Sequence, residues 1–325
     1  PRFSTARIIG PSMLSLDGHE HRRHREPFVP PFRSSSVRER FAGPVADETR
    51  ILLERIAPAG AAELRRSFAG PLAAKIVTLA LGFGEGEVGD VLRWYDSIVA
   101  AVTDITAGRG IPASGQEAFD ALGGRVRTVI DAGEGESLLS SVAAMATLST
   151  DQIVSNAAVL LFGGIETTEG MIANALMHLL QARDQLAAAR ADSTALDAAI
   201  EESLRLEPAA SVIDRYATAD ASLDGTSIAR GDLVRVSIAG ANRDPAVFAD
   251  PDRFDPGRSG PRRHLAFAHG PHVCVGIHLA RLEARGAIAE ILDRLSGLRL
   301  DPRRPPAVRG LVFRKPQTVH AVWDP

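Results

Sequence analysis

The stretch Phe267-Ala268-His269-Gly270-Pro271-His272-Val273-Cys274-Val275-Gly276 holds the only cysteine in 325 residues. Gly270 and Gly276 bracket it, and glycine reaches positive φ and permits close backbone approach where a side chain would clash. The segment therefore reads as a tight loop. Beyond it, Ile288, Ile291, Leu292 and Leu295 fall at i, i+3, i+4, i+7, the spacing of a helix with one apolar face. The sulfur is thus predicted where a helix begins. Free N–H groups and the positive end of the helix dipole favour an anion there, and so a thiolate over a thiol. On these residues alone Cys274 can be a nucleophile, a metal ligand or a small buried side chain.

Composition narrows the setting. With 45% hydrophobic residues the chain can bury a large core, as one big domain or two smaller ones. The balance of 37 Lys+Arg against 40 Asp+Glu, net −3, gives no case for a nucleic-acid partner. One cysteine excludes an internal disulfide framework or a multi-cysteine zinc site and fits a reducing cytoplasm. The longest apolar stretch, from Ala157 to Ile165, falls short of the roughly 20 residues that span a bilayer, and no secretory signal is visible. No membrane association is expected.

Along the chain, Asp17-Gly18-His19-Glu20-His21-Arg22-Arg23-His24-Arg25 is a dense basic run. His21 and Arg25 are four apart, so on a helix they share a face and can grip one anionic group. From Ser36 to about Ala146 the pattern is helical, broken by Gly-, Pro- and Ala-rich turns. Ser149-Thr150-Asp151-Gln152 is a capping box opening a long helix that reaches about Leu180. Its middle, Phe162-Gly163-Gly164-Ile165-Glu166-Thr167-Thr168, breaks local rules: each interior glycine costs about 1 kcal/mol relative to Ala, and Thr and Glu sit in an apolar span. Such a violation marks either function or a notch where another helix crosses. Glu202 and Arg205 lie at i, i+3 and can pair, though an exposed pair is worth little. After Pro208 the sequence turns strand-like, with turn signals at Leu223-Asp224-Gly225 and Arg230-Gly231-Asp232 and alternation over Leu233–Val236.

The spacing Phe267-x-x-Gly270-x-His272-x-Cys274-x-Gly276 resembles the haem-binding loop of the cytochrome P-450 family, whose haem iron is held by a cysteine thiolate. His21/Arg25, Gly164-x-Glu166-Thr167 and Glu202-x-x-Arg205 occur in the same order and at compatible separations. The resemblance implies a mainly α protein with small β-sheets (α+β), a long central helix over the haem and the cysteine loop beneath it. It implies haem b (iron protoporphyrin IX) on Cys274 as axial ligand, with His21, Arg25, Arg215 and His272 as propionate partners. Gly163 and Gly164 would open space over the iron, the Thr167 hydroxyl would steady dioxygen, and Glu166 would relay protons. Glu202, Arg205 and Arg258, the last within Phe254-x-Pro256-x-Arg258, would be structural. Ser211, Val212, Ile213 and Val312 would line a substrate pocket beneath a mobile roof near Gly89–Ala132.

The activity implied is insertion of one atom of dioxygen into a small, hydrophobic organic substrate, with electrons from a ferredoxin-type donor and its reductase. The basic residues His19, Arg22 and Arg23 are expected to dock that acidic donor by complementary charge. Two departures stand out: Ala268 occupies a position usually Gly in the family, and Pro1 falls partway into the family's fold, ahead of which its first helices, most of a small sheet and a substrate-facing loop would lie. Two other readings stay open: an electron-independent isomerase or dehydratase on the same scaffold, and a non-catalytic activating partner of another enzyme. Members of the second kind lack the cysteine.

Overall fold

The computed structural model describes residues 3–133, 137–258, 260 and 263–324. Its helices are α1 (Ser4–Ile9), α2 (Gly18–Arg25), α3 (Ser34–Ile56), α4 (Gly70–Ala80), α5 (Val88–Thr106), α6 (Ala113–Ala132), α7 (Leu138–Ala144), α8 (Thr150–Gln181), α9 (Arg183–Ala191), α10 (Ser193–Leu206), α11 (Ile238–Ala241) and α12 (Ile277–Arg294). The strands are short: β1 (Ala61–Glu63), β2 (Val212–Tyr216), β3 (Ala221–Leu223), β4 (Thr226–Ile228), β5 (Leu233–Ser237), β6 (Arg299–Leu300), β7 (Val308–Arg309), β8 (Lys315–Pro316) and β9 (His320–Val322). The fold is mainly α with small antiparallel sheets. No helix among the described residues is long and apolar enough to cross a membrane.

The chain divides into two compact units. The first comprises Pro1–Arg55, Ser67–Glu169 and Gly270–Ala287. Here the start of α8 is fixed by a reciprocal cap: Ser149 N donates to Gln152 Oε1 at 3.1 Å and Gln152 N to Ser149 Oγ at 3.3 Å. Ile153, Val154, Ala157, Ala158, Leu161 and Ile165 then repeat at helical spacing and are all buried. The packing of α6 on α5 is close enough that a Cβ at Gly115 would come within 2.4 Å of the Ala101 methyl, so a side chain there is excluded. Of the apolar series after the cysteine, Ile288 onward belongs to the second unit and is buried.

The second unit comprises Ile56–Arg66, Gly170–His269 and Ile288–Pro325. Strand β9 is the centre of a three-stranded sheet in the order β1-β9-β6. β2 and β5 pair antiparallel with Ile213 opposite Val236. β3 and β4 form a two-residue hairpin in which Asp224 and Gly225 both take positive φ, 47° and 76°, the geometry whose twist matches the strands it joins.

Candidate functional site

In the first unit, α2 begins at Asp17, whose carboxylate accepts the Gly18 N–H at 2.8 Å. One turn of helix then separates His21 from Arg25. His21 is only 1% exposed, its ring centroid lies 4.0 Å from that of His272, and its Nε2 has no hydrogen-bond partner among the described residues. His272 Nε2 in turn lies 3.6 Å from Asp17 Oδ1. Burial, then the neighbouring His272 and Arg25, hold the His21 imidazole below its usual range. Arg25 Nη2 donates to the Val273 carbonyl at 2.5 Å. The structure thus brings His21, Arg25 and His272 together against the cysteine loop. It alters the expected basic patch: Arg23 is committed to Glu20 at 2.8 Å, to the Thr147 carbonyl at 3.0 Å and to Gln152 at 3.1 Å. His19 also pairs with Glu20, whereas Arg22 is exposed.

Cys274 lies three residues before α12, its side chain open to solvent although dense protein surrounds it. The expectation of a favoured thiolate is corrected here. Burial pushes the thiol up, and this outweighs the Gly276 N–H and the charges of Arg25 and Arg281, which pull it down. A helix start attracts an anion only to the extent that the surroundings can solvate it. The sequence does not display that burial.

On α8 the residues through Ala158 are buried apart from the capping turn, and those from Thr168 to Leu180 are buried throughout. Phe162, Gly163, Gly164, Glu166 and Thr167 between them keep partial exposure. The two glycines differ. A Cβ at Gly163 meets nothing within 4 Å, whereas one at Gly164 would come within 2.3 Å of Val77 Cγ2 on α4. Gly163 faces free space and Gly164 is a crossing notch. The Thr167 hydroxyl donates to the Gly163 carbonyl at 2.5 Å, and the Glu166 carboxylate accepts from the hydroxyl of Tyr95 on α5. In the sequence Tyr95 is simply one residue of the roof near Gly89–Ala132. With the partners 71 positions apart, no local pattern could have joined them.

In the second unit Arg205 has all five N–H groups engaged: two on Glu202 at 2.8 and 2.9 Å, and the others on the carbonyls of Asn242, Pro251 and Arg253 at 2.8, 2.8 and 3.2 Å. Arg258 Nε adds a bond to Glu202 at 3.2 Å. Both members of the Glu202–Arg205 pair are fully buried, so this is not the weak exposed pair that spacing alone suggests. Ser211 is 1% exposed. Its hydroxyl donates to the Leu311 carbonyl and its N–H to that of Val312 at 2.8 Å, so it clamps the turn after β7. Val212 and Ile213 are half-buried on β2 and Val312 is exposed. Arg215 is exposed on β2, its guanidinium donating to the Asp214 carbonyl at 2.9 Å; it belongs to a different unit from His21, Arg25 and His272.

An accessible cysteine sulfur just before a helix, a buried imidazole nitrogen lacking a partner, and a guanidinium beside the same loop form the donor set that a haem needs: one soft ligand for iron and N–H groups for the carboxylates at its edge. These residues fit that group, and with the fold they define a haem-thiolate protein. Comparison with known proteins agrees. The family model described as Cytochrome P450 matches residues 134–318, which includes Glu166, Thr167, the Glu202–Arg205 pair and Cys274 but not α2. Cytochrome P450 107B1 of Saccharopolyspora erythraea is 34% identical over 90% of this chain and 72% of its own length. The 20-oxo-5-O-mycaminosyltylactone 23-monooxygenase of Streptomyces fradiae is 33% identical over 96% of this chain and 73% of its own. Cytochrome P450 monooxygenase PikC of Streptomyces venezuelae is 40% identical over 75% of this chain, a match that spans 59% of PikC. The crystal structure of CalO2 superposes with a TM-score of 0.90 at 30% identity, covering 99% of this chain and 82% of CalO2. P450BioI, solved with an acyl carrier protein bearing hexadec-9Z-enoic acid, also reaches 0.90, at 27% identity over 99% of this chain and 84% of its own. The chain belongs to the cytochrome P450 family of haem-thiolate monooxygenases.

Proposed function

We propose that this chain forms the catalytic domain of a monooxygenase that inserts one atom of dioxygen into a small, hydrophobic organic molecule, and that Cys274 would hold the iron of haem b. The observation that supports this most is the accessible Cys274 sulfur in a loop braced by Arg25 and beside His21 and His272. Haem bound there supplies oxygen activation, with the thiolate's electron density promoting O–O cleavage.

The chain's own residues supply position and protons. The Nε2 of His21, which has no partner among the described residues, and the guanidinium of Arg25 offer N–H groups to a propionate, with His272 as a further partner; for Arg215 that role rests on the family resemblance alone. Gly163 leaves room beside α8. Thr167 can turn its hydroxyl from the Gly163 carbonyl toward that space, and Glu166, the residue before it on α8, can pass a proton to it. Glu202, Arg205 and Arg258 act structurally, and the clamped turn carrying Val312, with Val212 and Ile213, is assigned to substrate contact. Two electrons per turnover come from a ferredoxin-type donor and its reductase, for which exposed Arg22 remains as a docking charge. A cytoplasmic setting accords with the lone unpaired cysteine.

Glu166-Thr167 and Cys274 together, with relatives named as monooxygenases, favour this reading over an isomerase, a dehydratase or a non-catalytic partner. The test is the absorption spectrum of the purified protein, oxidised and then reduced under carbon monoxide. A strongly red-shifted Soret band, lost in Cys274→Ala, is the expected result; haem bound without that shift removes cysteinate ligation and with it the proposed chemistry.

A further inference from the structure

Tyr95 is 8% exposed, on a helix that also buries Val91, Ile98 and Ala101. Simple packing explains its ring but not its hydroxyl, which donates to Glu166, the one acid in the rule-breaking middle of α8. The two helices thus meet through polar groups at 95/166.

We infer that Tyr95 is a positioning residue for proton delivery: its phenol holds the Glu166 carboxylate and ties that group's orientation to the placement of α5. The inference rests on the role of Glu166 given above. A carboxylate accepting a phenolic O–H keeps one oxygen occupied and one rotamer preferred. The carboxylate held in this way takes a proton from solvent and passes it on to Thr167. Displacing α5 would release the carboxylate. Proton delivery is then correct only when α5 is seated.

The test uses the haem-loaded protein in three forms: wild type, Tyr95→Phe, which keeps the ring and its packing, and Glu166→Gln. One measurement is the infrared carboxylate band that disappears in Glu166→Gln. In Tyr95→Phe this band should move, since the phenolic donor is gone; a band at the wild-type position overturns the proposal whatever the activity. The other is peroxide released per NADH consumed with a ferredoxin and its reductase, together with the solvent deuterium isotope effect. Tyr95→Phe should raise the peroxide share roughly fivefold, the factor set by one hydrogen bond of ordinary strength, and change the isotope effect. If Glu166→Gln uncouples while Tyr95→Phe matches wild type, Tyr95 has no such role and Glu166 keeps its own. If Glu166→Gln leaves both quantities unchanged, the acid's role fails, and the positioning role fails with it.

Discussion

Ala268 takes φ 59°, a left-handed conformation in which a Cβ crowds the following carbonyl. The departure from glycine at this position is therefore a strained residue rather than a neutral replacement. Ala268→Gly is expected to raise stability by up to about 1 kcal/mol, part of the relief being offset by the larger freedom glycine has when unfolded; thermal unfolding checks it, and a lower midpoint would contradict it. His178 makes a second prediction. It is 8% exposed, hydrogen-bonded to Ser203 at 2.9 Å and stacked on Phe254, and burial above all lowers its pKa from 6.5 to about 4. Between those values the unfolded chain takes up a proton that the folded chain refuses. Stability is then lost as pH falls from about 6.5 toward about 4, on the order of 3 kcal/mol at the lower end. Denaturant titrations of His178→Gln across that range should show a flatter decline. Neither effect was legible in the sequence, because a backbone angle and the burial of one imidazole are set by tertiary packing.

At the scale of elements, the middle of α8 was legible as an anomaly, and its two glycines differ: Gly164 is a notch where Val77 of α4 packs, and Gly163 faces open space, so the functional reading is proposed for Gly163 alone. Gly163→Ala adds a methyl to open space on a helix, so it should stabilise the fold by about 1 kcal/mol while lowering turnover through the room it fills. Gly164→Ala drives a methyl into Val77 and should cost about 1–3 kcal/mol. Unfolding and turnover measured on both variants separate a substrate-facing glycine from a packing glycine; equal effects on stability would contradict the assignment. The long helix, its cap, the hairpin turn at Asp224-Gly225 and the helix after the cysteine were readable because each signal is local. Which side of α8 meets α4 or α5 depends on distant chain, and two adjacent glycines look alike until Val77 is in place.

Across the whole molecule, the cysteine loop and the Glu202–Arg205 spacing disclosed the fold, since those motifs belong to one family's architecture. They did not disclose that this pair is fully buried, nor that it gathers carbonyls from residues 242 to 253. Removing one partner leaves a buried charge uncompensated, so Glu202→Ala or Arg205→Ala should cost about 3–5 kcal/mol. Arg205→Lys should recover only part of it, because an ammonium has three donors for five places; chemical denaturation of the three variants checks the order. Arg205 is held on one side by a carboxylate and on the other by main-chain oxygens. Every residue type carries such an oxygen, so those bonds read the path of the chain, and the one side chain along it that the guanidinium is seen to cover is Phe248, its Cζ 5.2 Å from the ring centroid. A substitution that keeps the chain's path leaves those oxygens in place, whereas one at Phe248, Glu202, Arg205 or Arg258 removes a side chain that closes the lock itself.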